Sequence, residues 1–207
     1  QADPTFQFVE QPGPHIWWVT INCQMKPFDD VRVRQALNYA VNKEAIVSQI
    51  LKDTGSVAHT VVPPAIEWAY NPEAMSYPYD PEKAKQLLAE AGYADGVETT
   101  FWVTESGSGM QSPKTMGEAI QADLNAVGIK TNIEVAEWGA YLSQWYNSGM
   151  GDRAGLAEMS WMFDTGDPHT VLPLNFSIDG YPPNGFNTGR YTNEEVDQML
   201  KDAAVSL

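Results

Sequence analysis

Apolar and polar residues follow two rhythms along this chain, and the rhythm changes several times. The run HIWWVTIN, His15 to Asn22, is short, aromatic and β-branched, which predicts a buried strand. After KPFDD, the apolar positions Val33, Ala36, Leu37, Ala40 and Val41 recur at helical spacing, and Asp29 or Asp30 stands where a cap is needed. A second helix is predicted from about Lys43 to Lys52. From Gly55 to Pro78 the periodicity dissolves among prolines, so this segment reads as a long extended surface loop. Asp80 and Pro81 then restart a helix. Asp80 is a capping carboxylate, Pro81 has its φ already set for the first turn, Ala84, Leu87, Leu88 and Ala91 share a face, and Gly92 is the stop.

The second half alternates more regularly. ETTFWVT predicts a strand, Ser112 to Val127 a helix with Met116, Ile120, Leu124 and Val127 on one stripe, and IKTNIEVA another strand. Trp138 to about Ser148 reads as a helix and LAEMSWM as a strand. A last helix begins near Thr192, where Thr192 and Glu195 have capping-box spacing and Val196, Met199, Leu200 and Ala203 form a stripe to be buried. Strands alternating with helices predict an α/β fold, a sheet flanked by helices. No internal repeat or low-complexity tract interrupts it.

Composition narrows the function classes. With 207 residues and 43% apolar content the chain can bury a core. Twelve basic residues against 27 acidic ones give a net charge of -15, which repels nucleic acid and anionic membrane surfaces. Cys23 is the only cysteine, so an internal disulfide and a CxxC-type zinc site are excluded. No run reaches the roughly 18 apolar residues of a membrane span. The chain opens on Gln1 and ends at Leu207 within an apolar helical face, so it reads as a processed or cut piece of something longer.

Three segments follow predicted strands, where open α/β sheets gather ligands: TESGSGM (Thr104 to Met110), EWGAY (Glu137 to Tyr141) and DTGDP (Asp164 to Pro168). GSGM lacks the lysine and length of a phosphate loop. His15, His59 and His169 are scattered without ligand spacing, and no GxSxG elbow is present. Neither a metal nor a cofactor is expected. Asp164 and Asp167 could form a paired-carboxylate hydrolase site. The more economical division is that Asp167 caps a short helix near Thr170 to Leu174 while Asp164 faces the cleft. Of the seven tryptophans, Trp18 and Trp102 are expected in or near the core, while Trp138, Trp145 and Trp161 lie beside the predicted cleft. Aromatic walls with one carboxylate suit an organic cation or an amphipathic solute.

Five stretches, in order, resemble the solute-binding proteins of the dipeptide, oligopeptide and nickel class of bacterial ABC importers: KPFDDVRVRQALNYAVNKEAIV, VPP at Val62 to Pro64, YDPEKAKQLLAEAGYADG, AIQADLNAVGIKTNIEVAEWGAYL and SWMFDTGDP. The resemblance implies a type II periplasmic-binding-protein-like fold of two lobes, of which this chain is similar to the second. Residues 1–14 would be the return segment from the missing first lobe, and 15–207 the ligand-binding lobe. The implied function is non-catalytic: capture of a peptide-like or amine-bearing solute for a membrane ABC permease, with the missing first lobe as partner and no nucleic acid. The implied location is the periplasm, or the outer surface with a lipid anchor in a single-membrane bacterium. In peptide-binding members a carboxylate at the position of Asp164 meets the ligand's ammonium group, and the strand here ending in Trp161 and Met162, followed by Phe163, pairs with the extended ligand. Positions matching Trp138, Trp145 and Tyr146 lie near side-chain pockets. The loop carrying Glu105 and Gly107 is where dipeptide binders place a carboxylate-gripping arginine. Here Gly107 stands in its place, and no lysine or arginine occurs from Glu98 to Ser112.

Overall fold

The computed structural model describes residues 9–107 and 109–205. Four strands form one mixed sheet in the order β1-β4-β2-β3: β1 is His15–Ile21, β2 Val97–Thr104, β3 Ile129–Ala136 and β4 Leu156–Met162. β2 runs parallel to β3 and β4, and β1 closes the other edge antiparallel to β4, with Val19 opposite Glu158 and His15 opposite Met162. The parallel arrangement brings the carboxyl ends of β2, β3 and β4 to one end of the sheet. It also requires crossover helices. These are α4 (Pro113–Ala126) between β2 and β3, and α5 (Trp138–Asn147) between β3 and β4.

The two helical layers meet different sheet faces. Val33, Ala36, Leu37 and Ala40 of α1 (Val31–Ala40), Ala84, Leu87 and Leu88 of α3 (Pro81–Glu90), and Met116, Ile120 and Leu124 of α4 pack with Phe101, Val103, Ile129 and Leu156 of the sheet. Each of the larger side chains, fully buried, contributes about 1.5 to 3 kcal/mol. The opposite face packs Trp102, Ala157 and Met159 against Tyr141 and Trp145 of α5. A third, smaller cluster joins Val62 and Ile66 of the long loop to Phe163 and Val171, which fastens that loop to the end of β4.

The caps explain most helix starts. Asp30 accepts from Arg32 N–H at 2.8 Å, and Asp80 accepts from Lys83 N–H at 2.9 Å with Pro81 in the first turn. The expected second helix is instead a short α2 (Lys43–Ala45) that widens into a π-helical turn, Ile46–Ile50, and breaks where Lys52 and Asp53 adopt positive φ. The last helix, α7 (Glu194–Ala203), corrects the capping-box expectation. Asn193 is its cap, accepting from Glu195 and Val196 N–H, while the Thr192 hydroxyl bonds the Tyr181 phenol at 2.7 Å. Its apolar stripe is only half covered, by α6 (Leu172–Phe176), and Met199 remains exposed. Of the expected return segment, residues 1–8 lie outside the described residues, and 9–13 carry no regular element. Among the described residues no helix is long and apolar enough to cross a membrane.

Candidate functional site

The carboxyl ends of the three parallel strands carry the three segments singled out in the sequence. After β4 the chain makes a tight turn. Phe163 N–H donates to Pro14 O at 3.0 Å, Gly166 takes a positive φ of 70°, and Gly166 N–H returns to Phe163 O. Asp167 accepts from His169 N–H at 2.9 Å and caps the 3-10 turn Pro168–Thr170, which leads into α6. Thr165 Oγ1 accepts from Asp167 N–H and pairs with Thr170 Oγ1, so the turn is cross-braced. Asp164, in the middle of these braces, is exposed and has no hydrogen bond or ion pair among the described residues. The two carboxylates are thus divided, one to a cap and one to the surface.

At the end of β3, Glu137 caps α5 by accepting from Gly139 and Ala140 N–H at 2.9 and 3.0 Å, and these backbone donors hold its carboxyl below the usual range. The cap fixes the first turn of α5 and hence Trp138, whose ring stacks 5.9 Å from Tyr141. Trp138 also touches the loop after β2. A side chain at Gly107 would come within 3.2 Å of the Trp138 ring and would collide with the Met110 methyl. The space around Gly107 is therefore already apolar and filled. Glu105 is exposed on the same loop.

The remaining expected site residues separate by burial. Met162 is 42% exposed at the strand end. Trp161 is half-buried and stacks on Phe186 at 4.7 Å, and Phe186 in turn meets exposed Tyr146 at 5.4 Å. Phe186 therefore joins two expected site residues into one aromatic row. Trp145 and Phe163, by contrast, are 1% and 2% exposed, so the expectation that they face a solute is corrected. Trp145 follows Tyr141 by four residues on the inner stripe of α5, and Phe163 points into the cluster that anchors the long loop.

Two further residues of this end were not singled out in the sequence. Trp68, on the long loop, is 73% exposed while its indole N–H donates to Gly166 O at 3.2 Å, which ties the loop to the Asp164 turn. The signal for it was an aromatic residue inside a proline-rich segment. Glu158, in the middle of β4, is fully buried. Its Oε1 accepts from Thr104 N–H at 2.8 Å, its Oε2 has no partner among the described residues, and burial raises its carboxyl to about 7. No group of three or more potential metal ligands assembles among the described residues.

The fold and this end of the sheet match known proteins. The sequence profile described as bacterial extracellular solute-binding proteins, family 5 Middle, matches residues 1–182. The chain is 42% identical over 205 residues to heme-binding protein A of Haemophilus influenzae, covering 98% of this chain and 36% of that protein. It is 35% identical over 208 residues to the dipeptide-binding protein of Escherichia coli, covering 98% and 37% respectively. Among solved structures, HbpA2 from Haemophilus parasuis superposes with a TM-score of 0.88 at 33% identity, over 98% of this chain and 39% of that one. A Pseudoalteromonas dipeptide-binding protein in complex with Met-Leu superposes with a TM-score of 0.83 at 28% identity, over 95% and 38%. The mixed sheet with helices on both faces is thus part of a type II periplasmic-binding-protein fold. This chain belongs to the bacterial extracellular solute-binding proteins of family 5, and it spans a little over a third of the length of the relatives it matches.

Proposed function

We propose that this chain is the second lobe of a two-lobe extracytoplasmic receptor, and that its carboxyl end forms half of an interlobe site for a peptide-like or amine-bearing solute. Residues 15–207 are the lobe and residues 1–14 the strand of chain returning from the first lobe. The receptor delivers its solute to an ABC permease from the periplasm, or from the outer surface in a bacterium with one membrane. The carrying observation is Asp164: an exposed carboxylate without a partner among the described residues, held on a cross-braced turn at the end of a parallel strand. Enclosing such a group unpaired between two lobes is costly, and a ligand ammonium supplies the charge-assisted bond that offsets the cost.

The aromatic row Trp161, Phe186 and Tyr146, with Trp138 at the start of α5, gives the solute apolar walls. The filled space at Gly107 favours a ligand whose second end is held otherwise than by an arginine from this loop. A hydrolase reading is weakened by Asp167, whose carboxylate is engaged as a cap rather than directed at a substrate. The test is calorimetric titration of the full two-lobe protein with Met-Leu and with N-acetyl-Met-Leu, which lacks the ammonium group. Binding of the first with loss of the second supports the reading. Equal binding of both removes Asp164 as cation partner, and turnover of either removes the receptor assignment.

A further inference from the structure

Among the described residues one acid, Glu158, is fully buried, and solute recognition does not use it. Glu158 pairs with Val19 of β1, and by strand alternation it shares a side of the sheet with Leu156 and Ser160. The β2–β4 pairing is recorded at Phe101 with Leu156 and at Trp102 with Ala157, so Thr104 lies beyond it. There the backbone N–H of Thr104 donates to Glu158 Oε1 at 2.8 Å. Thr104 in turn donates its hydroxyl to Ser106 O at 2.5 Å, carrying the restraint into the loop. Further along, Gly109 has a φ of 72° and lies against the His15 ring, in a space that no side chain could share. The loop therefore leaves β2 from a side-chain anchor and crosses the sheet end with little freedom.

We propose that Glu158 is a positioning residue for the cleft: its buried carboxyl, acting through Thr104, sets the path of the loop that carries Glu105 and Gly107 past Trp138. This rests on the solute-binding reading of that loop, but the latch itself needs no solute. One oxygen satisfies Thr104 and the other is buried without a partner among the described residues. Ionising the group in place leaves a charge out of water with a single hydrogen bond, so opening the loop to admit water is the relief. The Thr104 bond favours the charged form but burial outweighs it, so opening the loop releases the Glu158 proton and becomes easier as pH rises toward about 7.

The other ionisable groups on the elements around it do not replace it. Tyr141 of α5 donates to the Glu158 carbonyl, and burial together with Glu158 pushes its phenol far above the ordinary range. His15 of β1 lies against Gly109 and pairs with Met162, four residue pairs along the β1–β4 ladder from Val19 and Glu158. Lys114 and Glu118 of α4 are exposed and pair with each other at 4.0 Å, and Glu105 is exposed.

The experiment is amide hydrogen exchange of this chain without solute, from pH 5.5 to 8.5, following Thr104, Glu105, Ser106 and Gly107 with β3 amides as the internal reference. In the wild type, protection factors of the loop amides fall by up to about tenfold for each pH unit from pH 5.5 to about 7 and are level above it, while those of β3 stay higher than the loop's at every pH. Glu158→Gln keeps an acceptor for Thr104 and gives a flat profile. Glu158→Ala removes the anchor and lowers loop protection about tenfold even at pH 6. A level wild-type profile, or a Glu158→Gln profile that still falls, overturns the proposal. If the variants do not fold, the wild-type profile decides alone. Because no solute is present, failure of this test leaves the receptor reading standing, and failure of solute binding leaves the latch standing.

Discussion

On the side of the sheet that receives α1, α3 and α4, the clustered apolar side chains are mostly aliphatic. On the side that receives α5 they include Trp102, Tyr141, Trp145, Met150 and Met159, and the indole nitrogens of Trp102 and Trp145 are buried without partners among the described residues. The first side is a mould for stability: branched side chains in helical stripes, interchangeable within a given volume. The second holds large flat rings in a stack, Trp102 on Tyr141 at 4.0 Å and Tyr141 on Trp145 at 5.7 Å, continuing to Trp138 at the start of α5. A ring stack that starts in the core and ends at the surface ties the position of a cleft residue to the packing of the domain. The aliphatic side has no such continuation.

The sharpest way to break this contrast is to empty the aliphatic side. Phe101 is fully buried among α1 and α4 side chains, and Phe101→Ala is expected to cost about 3 to 5 kcal/mol of stability by lost contact and cavity formation. Chemical denaturation of both proteins measures it. A cost below 1 kcal/mol would mean that this face is not the main stabilising element.

The next effect belongs to the cleft and leaves stability alone. Asp164→Asn in the two-lobe protein is expected to weaken an amine-bearing ligand such as Met-Leu by about 2 to 5 kcal/mol, because one member of an enclosed charge pair is removed and the other left stranded. Its melting temperature without ligand should match the wild type, since Asp164 makes no bond to the rest of the described chain. Unchanged affinity would transfer the cation site elsewhere.

Between these lies the buried acid. An ordinary glutamate loses its proton near 4.5, but Glu158 in the fold holds its proton up to about 7 because burial disfavours the charge. Between those values the unfolded chain has released a proton that the folded one keeps, so stability falls as pH rises through that window. Its contribution is fully present below about 4.5 and gone above about 7, and the span corresponds to about 3 kcal/mol. The difference between wild type and Glu158→Gln in urea midpoints at pH 5 and pH 8 isolates it. Equal pH dependence in both would assign the titration to other groups.

How much of this was legible follows the same division. The stripes of α1, α3 and α4 repeat every three or four residues, so the aliphatic side could be read directly, and IKTNIEVA and LAEMSWM coincide with β3 and β4. On the α5 side, aromatic residues serve both core and cleft. Trp138 and Trp145 look alike in sequence, three and four residues from Tyr141, and it is the position of Trp138 at the first residue of α5 that leaves it partly exposed while Trp145 is buried. What was hidden depends on distant partners. Thr192 and Glu195 have capping-box spacing, but Tyr181 takes the Thr192 hydroxyl and Asn193 becomes the cap. Glu158 reads as the polar member of an alternating strand, and only the parallel neighbour β2 brings Thr104 to its carboxylate. Trp68 has no meaning until the long loop folds back on Gly166.

The smallest expected effect separates the two carboxylates of the DTGDP turn. Asp167→Ala removes the acceptor for His169 N–H at the start of a three-residue 3-10 turn, so the loss should lie at about 0.5 to 2 kcal/mol, in the range of a helix cap. Thr165 Oγ1 still accepts from the backbone N–H of residue 167, which should hold the turn near its native path and keep the cost toward the lower end. Affinity for Met-Leu in the two-lobe protein should then change by less than about threefold, because Asp164 remains on the same braced turn. Thermal melts with parallel titrations compare it with Asp164→Asn: one variant is expected to move stability and spare binding, the other to do the reverse. If Asp167→Ala abolishes binding while its melting point is unchanged, the roles of the two carboxylates are exchanged, and the cleft reads its cation one turn later than Asp164.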